Sequence, residues 1–200
     1  GHNDRIAWGL TNVGPDVMDL YIEKIHPENP TLYQLDGEWK EMEVVTEELQ
    51  VPGKDPISFP VYLTENGPLI GEVYGQEDFD QEAGIDVPDP YALSLQMNLA
   101  QNWDEFRKAA EEFAVPSQNL VYADVEGNIG YQMPGHIPIR GHGHNGMLPA
   151  PGWTGSTRWQ GYIPFAELPF ILNPPEGYII TANNQVVDPT YPHLITHEWS

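Results

Sequence analysis

Leu120-Val121-Tyr122-Ala123-Asp124-Val125-Glu126-Gly127-Asn128-Ile129-Gly130-Tyr131 is the stretch on which the reading of the fold turns. Two runs rich in β-branched and aromatic residues flank Glu126-Gly127-Asn128, so the segment reads as a β-hairpin. Just upstream the period changes to that of a helix. Asp89-Pro90 offers an N-cap followed by proline at the first helical position, and Leu93, Met97 and Ala100 then share one face. A second start stands at Asn102-Trp103-Asp104-Glu105, with Asn102 as cap and Glu105 at the capping-box position. Trp103, Phe106, Ala110 and Phe113 recur at helical spacing until Pro116. A short helix pair therefore precedes the hairpin.

Further upstream the pattern is that of strands. Leu32–Leu35, the turn Asp36-Gly37 and Glu38–Lys40 form a hairpin signal, because Asp-Gly supplies the positive φ of a tight turn. Glu43–Val51 is a strand closed by Pro52-Gly53; Ile57–Leu63 is another, and Glu65-Asn66-Gly67-Pro68 turns into Leu69-Ile70. Downstream, 135–152 is a glycine-rich loop, Gly155-Ser156 is a hairpin turn, and Gly177–Ala182 is a strand that ends on Asn183-Asn184. The fold class is α+β: a β-rich, antiparallel part over 17–85, a helical segment over 86–115, and hairpins, a loop and a core strand over 116–200.

Composition excludes several functions. The 200 residues carry 30 acids against 8 bases, a formal charge of −22, which argues against nucleic-acid and anionic-membrane partners. Residues 1–89 hold 20 acids and 4 bases, so most of the excess reads as solvated surface of the β-rich part. No apolar run reaches the roughly 18 residues of a membrane-spanning helix. The absence of cysteine rules out disulfides, thiolate metal sites and a Cys nucleophile. Both ends read as interior sequence, so the chain is expected to be a piece of a longer or processed protein.

Candidate chemistry is sparse. His142-Gly143-His144 has the His-x-His spacing of a metal pair, but no third ligand is placed by spacing, and exposed loop histidines are the expectation. Glu77-Asp78-Phe79-Asp80 and Asp86-Val87-Pro88-Asp89 lack the spacing of a calcium loop and read as solvated acids. No serine stands in a Gly-x-Ser-x-Gly elbow. Trp39, Trp153 and Trp159 would suit sugar stacking, although hairpin aromatics more often pack across strands. Asn183-Asn184, at a strand end, is the most informative polar pair, since a carboxamide N–H stabilises an oxyanion without carrying charge. An acidic binding module contacting glycan or protein, and a Ca²⁺-dependent interaction domain, stand beside the enzyme reading.

The same residues carry a resemblance that runs along nearly the whole chain. Gly1-His2-Asn3-Asp4-Arg5-Ile6-Ala7-Trp8-Gly9, Asn102-Trp103-Asp104-Glu105-Phe106, Tyr122–Tyr131 and Pro149-Ala150-Pro151-Gly152-Trp153 follow one another in the order of the penicillin acylase (penicillin amidase) family. So do Gly161–Phe165, Asn173–Gly177 and Thr181-Ala182-Asn183-Asn184. The chain resembles a central part of that family's β-chain, within an αββα N-terminal-nucleophile hydrolase fold.

The resemblance implies an amidohydrolase made as a self-cleaving precursor, whose β-chain N-terminal Ser attacks the acyl amide and uses its own α-amine as base. That Ser lies upstream of Gly1, so the isolated chain is expected to be inactive. By motif, Asn183 is the oxyanion-hole side chain and Asn184 the alternative. Ser94 and Gln118 are the approximate equivalents of acyl-pocket residues, and the Gly146 carbonyl that of a ligand to a structural Ca²⁺ whose acids lie mainly elsewhere. Implied partners are the rest of the β-chain, the α-chain and a small acyl-amide substrate, with no nucleic acid and no membrane insertion. Periplasmic or extracellular location follows from the family alone.

Overall fold

A computed structural model describes residues 1–70 and 90–199, with backbone alone for 90–94. The strands in chain order are β1 (Ile6–Asn12), β2 (Tyr21–Ile22), β3 (Ile25–His26), β4 (Asn29–Leu35), β5 (Glu38–Glu41), β6 (Glu43–Leu49), β7 (Ile57–Thr64) and β8 (Gly67–Pro68). Helices α1 (Pro90–Leu99) and α2 (Trp103–Glu111) follow, then β9 (Gln118–Asp124), β10 (Ile129–Gln132), β11 (Ala150–Pro151) and β12 (Phe170–Leu172). They fall into two compact units, each discontinuous in sequence: Gly1–Val17, Asp86–Ile139 and Gly161–Ser200 in one, Met18–Ile85 and Arg140–Gln160 in the other.

The first unit is built on an antiparallel sheet in the order β1-β9-β10-β12. Trp8 faces Tyr122 across β1–β9, and Gly130 faces Tyr122 across β9–β10. The two-residue alternation of strands sorts the side chains to two faces. One face presents Ile6, Leu120 and Tyr122 to Trp103, Phe106, Ala109 and Ala110 of α2. There Gly130 leaves room for the Trp103 ring, because a Cβ at that position would stand 2.4 Å from Trp103 Cζ3. The other face presents Val121 and Tyr131 to a core of Val13, Met133, Ile137, Ile163, Leu168 and Ile195. Asn102 caps α2 as its sequence predicts: its Oδ1 accepts from Glu105 N at 2.9 Å. Glu105 reaches back one residue further than a capping box requires, accepting from Gln101 N.

The second unit holds two three-stranded antiparallel sheets, β3-β4-β5 and β6-β7-β8, and the parallel pair β2–β11. The β4–β5 hairpin turns on Asp36 and Gly37 at φ 50° and 87°, the positive values that the dipeptide predicts. Tyr33, Leu35 and Met42 form its core. Glu23 is nearly fully buried and accepts hydrogen bonds from Thr64 and Asn66, while Gly152 packs so closely that a Cβ would lie 2.6 Å from the carboxylate.

Three expectations need correction. Residues 177–182 form no strand: among the described residues no ladder takes up their backbone groups, and Tyr178 and Ile180 are exposed. Gly155–Thr157 is a turn of 3-10 helix rather than a hairpin turn, since Thr157 Oγ1 donates to the Pro151 and Thr154 carbonyls and curls the backbone there. The acidic excess is not all solvated surface, because Asp19 and Glu23 are buried. The acid clusters at 77–80 and 86–89 lie outside the described residues. Among the described residues, no helix is long and apolar enough to cross a membrane.

Candidate functional site

Asn183 sits at φ 62°, in the left-handed region that asparagine tolerates better than other side chains. Its neighbour explains the bend. Asn184 Oδ1 accepts from Ala182 N at 3.0 Å and its Nδ2 donates to the Gln185 carbonyl at 3.0 Å. That local turn engages the Asn184 oxygen and one of the two N–H bonds of its Nδ2. The half-buried Asn183 carboxamide makes no hydrogen bond to any described residue, so its N–H₂ is open to an incoming acceptor. Two adjacent asparagines, equivalent in sequence, thus differ in what they can donate.

Beyond the pair, Val186, Val187, Asp188, Thr190, Tyr191 and Pro192 line one side of a groove of about 530 Å³; Tyr131, Pro169, Phe170 and Ile171 line the other. Thr190 donates to Asp188 through both N–H and hydroxyl, which holds the Asp188 carboxyl below its usual range. Burial, with Glu167 nearby, pushes the Tyr191 phenol up to about 12. Its hydroxyl donates to the Glu167 carbonyl at 3.0 Å. No motif announces this groove; the apolar residues at 186–187 after Asn183-Asn184 are its only trace in sequence.

The other candidates are scattered. Gln118 opens β9, half-buried and paired in register with Asn12. Ser94 lies within α1, where the backbone alone is described. Gly146 takes φ 80° in a loop of the second unit.

That unit contains a buried polar cluster that sequence reasoning missed. Arg140 Nε donates to both oxygens of Asp19 at 3.0 and 2.8 Å, and the Trp159 indole N–H donates to the same carboxylate. His144 Nε2 stands 3.8 Å from Asp19, and its Nδ1 lies 3.1 Å from the Thr157 carbonyl. A charge pair this deep persists only because its hydrogen bonds replace those of water. The two members of the His-x-His pair therefore live in different surroundings: His144 is packed against Tyr21 and His142 is exposed. Among the described residues no three His, Asp or Glu side chains converge on a point that would hold a metal ion. Asp19, a buried carboxylate of the same unit, already accepts from Arg140 and Trp159.

Of Trp39, Trp153 and Trp159, only Trp39 lies in a strand. Trp39 pairs with Gln34 and meets His26 edge-on at 4.6 Å, and Trp159 is held by Asp19.

Residues 1–200 match the sequence model of the family described as Penicillin amidase. An acyl-homoserine lactone acylase QuiP of Pseudomonas fluorescens is 33% identical over 207 residues, covering all of this chain and 25% of that protein. A penicillin G acylase of Escherichia coli is 35% identical over 188 residues, covering 92% of this chain and 22% of that protein. Among solved structures, a thermostable penicillin G acylase from Alcaligenes faecalis superposes with a TM-score of 0.78 at 33% identity, over 100% of this chain and 36% of that one. The chain spans about a quarter of the length of the curated relatives it matches.

Proposed function

The chain belongs to the penicillin amidase family, and from that premise we propose that it forms part of an acyl-amide hydrolase in which Asn183 donates to the oxyanion. The open carboxamide of Asn183, beside the engaged one of Asn184, is the observation that carries this reading. As an acyl carbon becomes tetrahedral, its oxygen gains negative charge. A neutral N–H fixed in advance meets that charge without having to reorganise, and so favours the transition state over the ground state. The left-handed backbone at Asn183 keeps the donor where the turn places it.

The nucleophile in this proposal is an N-terminal Ser outside the chain, with its own α-amine as base and water completing the turnover of the acyl-enzyme. The chain by itself is then inactive. The substrate is an N-acyl amide of the penicillin or acyl-homoserine lactone type, with Gln118 and Ser94 near the acyl group. The remaining β-chain and the α-chain complete the site, in a periplasmic or extracellular protein. A structural Ca²⁺ reached by the Gly146 carbonyl needs its other donors from those parts, and no chemical step passes through it.

In the complete protein, Asn183→Ala should lower kcat by about 10²–10³ through loss of one oxyanion donor, and Asn184→Ala by far less. Single-turnover acylation with a chromogenic acyl amide reads both. A variant at Asn183 that acylates at the wild-type rate would remove Asn183 from the site.

A further inference from the structure

The segment that presents Asn183 is held at its ends by packing. Ile179 before it, and Val186 and Val187 after it, pack against the buried core of Tyr131, Met133, Ile137 and Ile195. Between those anchors lie residues 182–185, all exposed except the half-buried Asn183. There Asn183 takes φ 62°. An L residue enters the left-handed region against the contact of its Cβ with the following carbonyl oxygen, so the conformation persists only where its surroundings impose it. Among the described residues nothing bonds the Asn183 carboxamide, so that side chain does not fix its own backbone.

The brace comes from the next residue. Asn184 Oδ1 accepts from Ala182 N and Asn184 Nδ2 donates to the Gln185 carbonyl, both at 3.0 Å. The two bonds bracket Asn183, reaching the backbone one residue before it and two after it. Asn184 is exposed, so its side chain braces the turn and adds little to the core. We propose that Asn184 is a positioning residue: its carboxamide holds Asn183 in the left-handed turn from which the neighbouring carboxamide meets the oxyanion. The inference rests on the reading of Asn183 as the oxyanion donor. A donor fixed in advance acts only in the fraction of molecules whose turn is formed, so loosening the turn lowers the rate in proportion. Substrate binding is untouched, because the oxyanion exists only beyond the substrate complex. Both bonds are open to water, so the brace is worth less than the donor it holds.

Single-turnover acylation of a chromogenic acyl amide by the complete protein tests it, comparing wild type, Asn183→Ala, Asn184→Ala and the double variant. Asn184→Ala should acylate about three- to tenfold more slowly, with substrate Kd within about twofold of wild type. The double variant should be no slower than Asn183→Ala, because the brace then has no donor to hold. A single-turnover rate constant does not count unfolded enzyme, so a purely structural role would leave it unchanged. Suppose Asn183→Ala is slow. Wild-type acylation by Asn184→Ala, or losses that multiply in the double variant, then overturns the proposal and leaves the oxyanion reading standing. Asn184→Ala as slow as Asn183→Ala would make Asn184 a donor itself, which also overturns it. Asn183→Ala at the wild-type rate overturns both.

Discussion

Asn119→Leu tests how strands β1, β9 and β10 of the main sheet are tied together. Asn119 is fully buried on β9, where its Oδ1 accepts from the Tyr131 hydroxyl at 2.7 Å. Its Nδ2 donates to Thr11 Oγ1 at 3.0 Å and to the Asn12 carbonyl at 3.1 Å, which pins the end of β1 to β9 and β10. Leucine fills similar space and pairs with none of them. Orphaning the Tyr131 hydroxyl and the Asn12 carbonyl costs about 1–3 kcal/mol each. Added apolar burial returns roughly 1–2 kcal/mol, so the net loss should be about 0–5 kcal/mol, centred near 2–3 kcal/mol.

Tyr131→Phe orphans only Asn119 Oδ1 and should cost about 1–2 kcal/mol. Burial pushes the Tyr131 phenol far up, so it remains a donor throughout the neutral and mildly alkaline range. The double variant replaces both partners by apolar groups, and should be destabilised by at least about 1 kcal/mol less than the sum of the singles. Urea denaturation followed by far-UV circular dichroism measures all three. A gain in stability for Asn119→Leu, or strict additivity in the double variant, refutes the reasoning.

Gly130→Ala places a methyl 2.4 Å from a Trp103 ring already fixed by Phe106 and Tyr122. A loss of about 2–4 kcal/mol is expected in denaturant, and Trp103→Phe should recover part of it by shortening the ring. Asp124 has four donors: Tyr122 O–H, Asn128 Nδ2, and the Glu126 and Asn128 backbone N–H groups. Burial alone would raise its pKa, but the hydrogen bonds led by Asn128 outweigh it and hold the carboxyl below its usual value. With the folded pKa depressed, its contribution is complete above the unfolded value and fades as pH falls through the folded one. Asp124→Asn should therefore lose most stability at pH 6, and the gap to wild type should narrow toward pH 3, read from urea midpoints at both pH values.

Local chemistry was legible wherever one short segment decides its own shape. Asp36-Gly37 turned as its positive-φ preference demands, Asn102 capped α2, and Glu126-Gly127-Asn128 closed the β9–β10 hairpin. Local preference failed at 177–182, where β-branched and aromatic residues predict a strand but pairing needs a neighbour that propensity does not supply. The candidate site divides the same way. Asn183-Asn184 was visible as a pair, whereas the groove beside residues 186–192 joins residues more than fifty positions apart.

By itself, then, the sequence determined the class of the fold, the Asn102 cap of α2, the tight turns, the absence of thiol chemistry and the family to which the motifs point. Those follow from steric limits on a few consecutive residues and from composition. Tertiary structure alone decided that Asp19 and Arg140 share a buried bond across 121 residues, and that His142 and His144 part company. It also left Arg107 stacked on Phe170 with no carboxylate paired with it among the described residues. Each of these depends on desolvation and on partners brought from distant positions, and neither is encoded in the spacing of neighbouring residues.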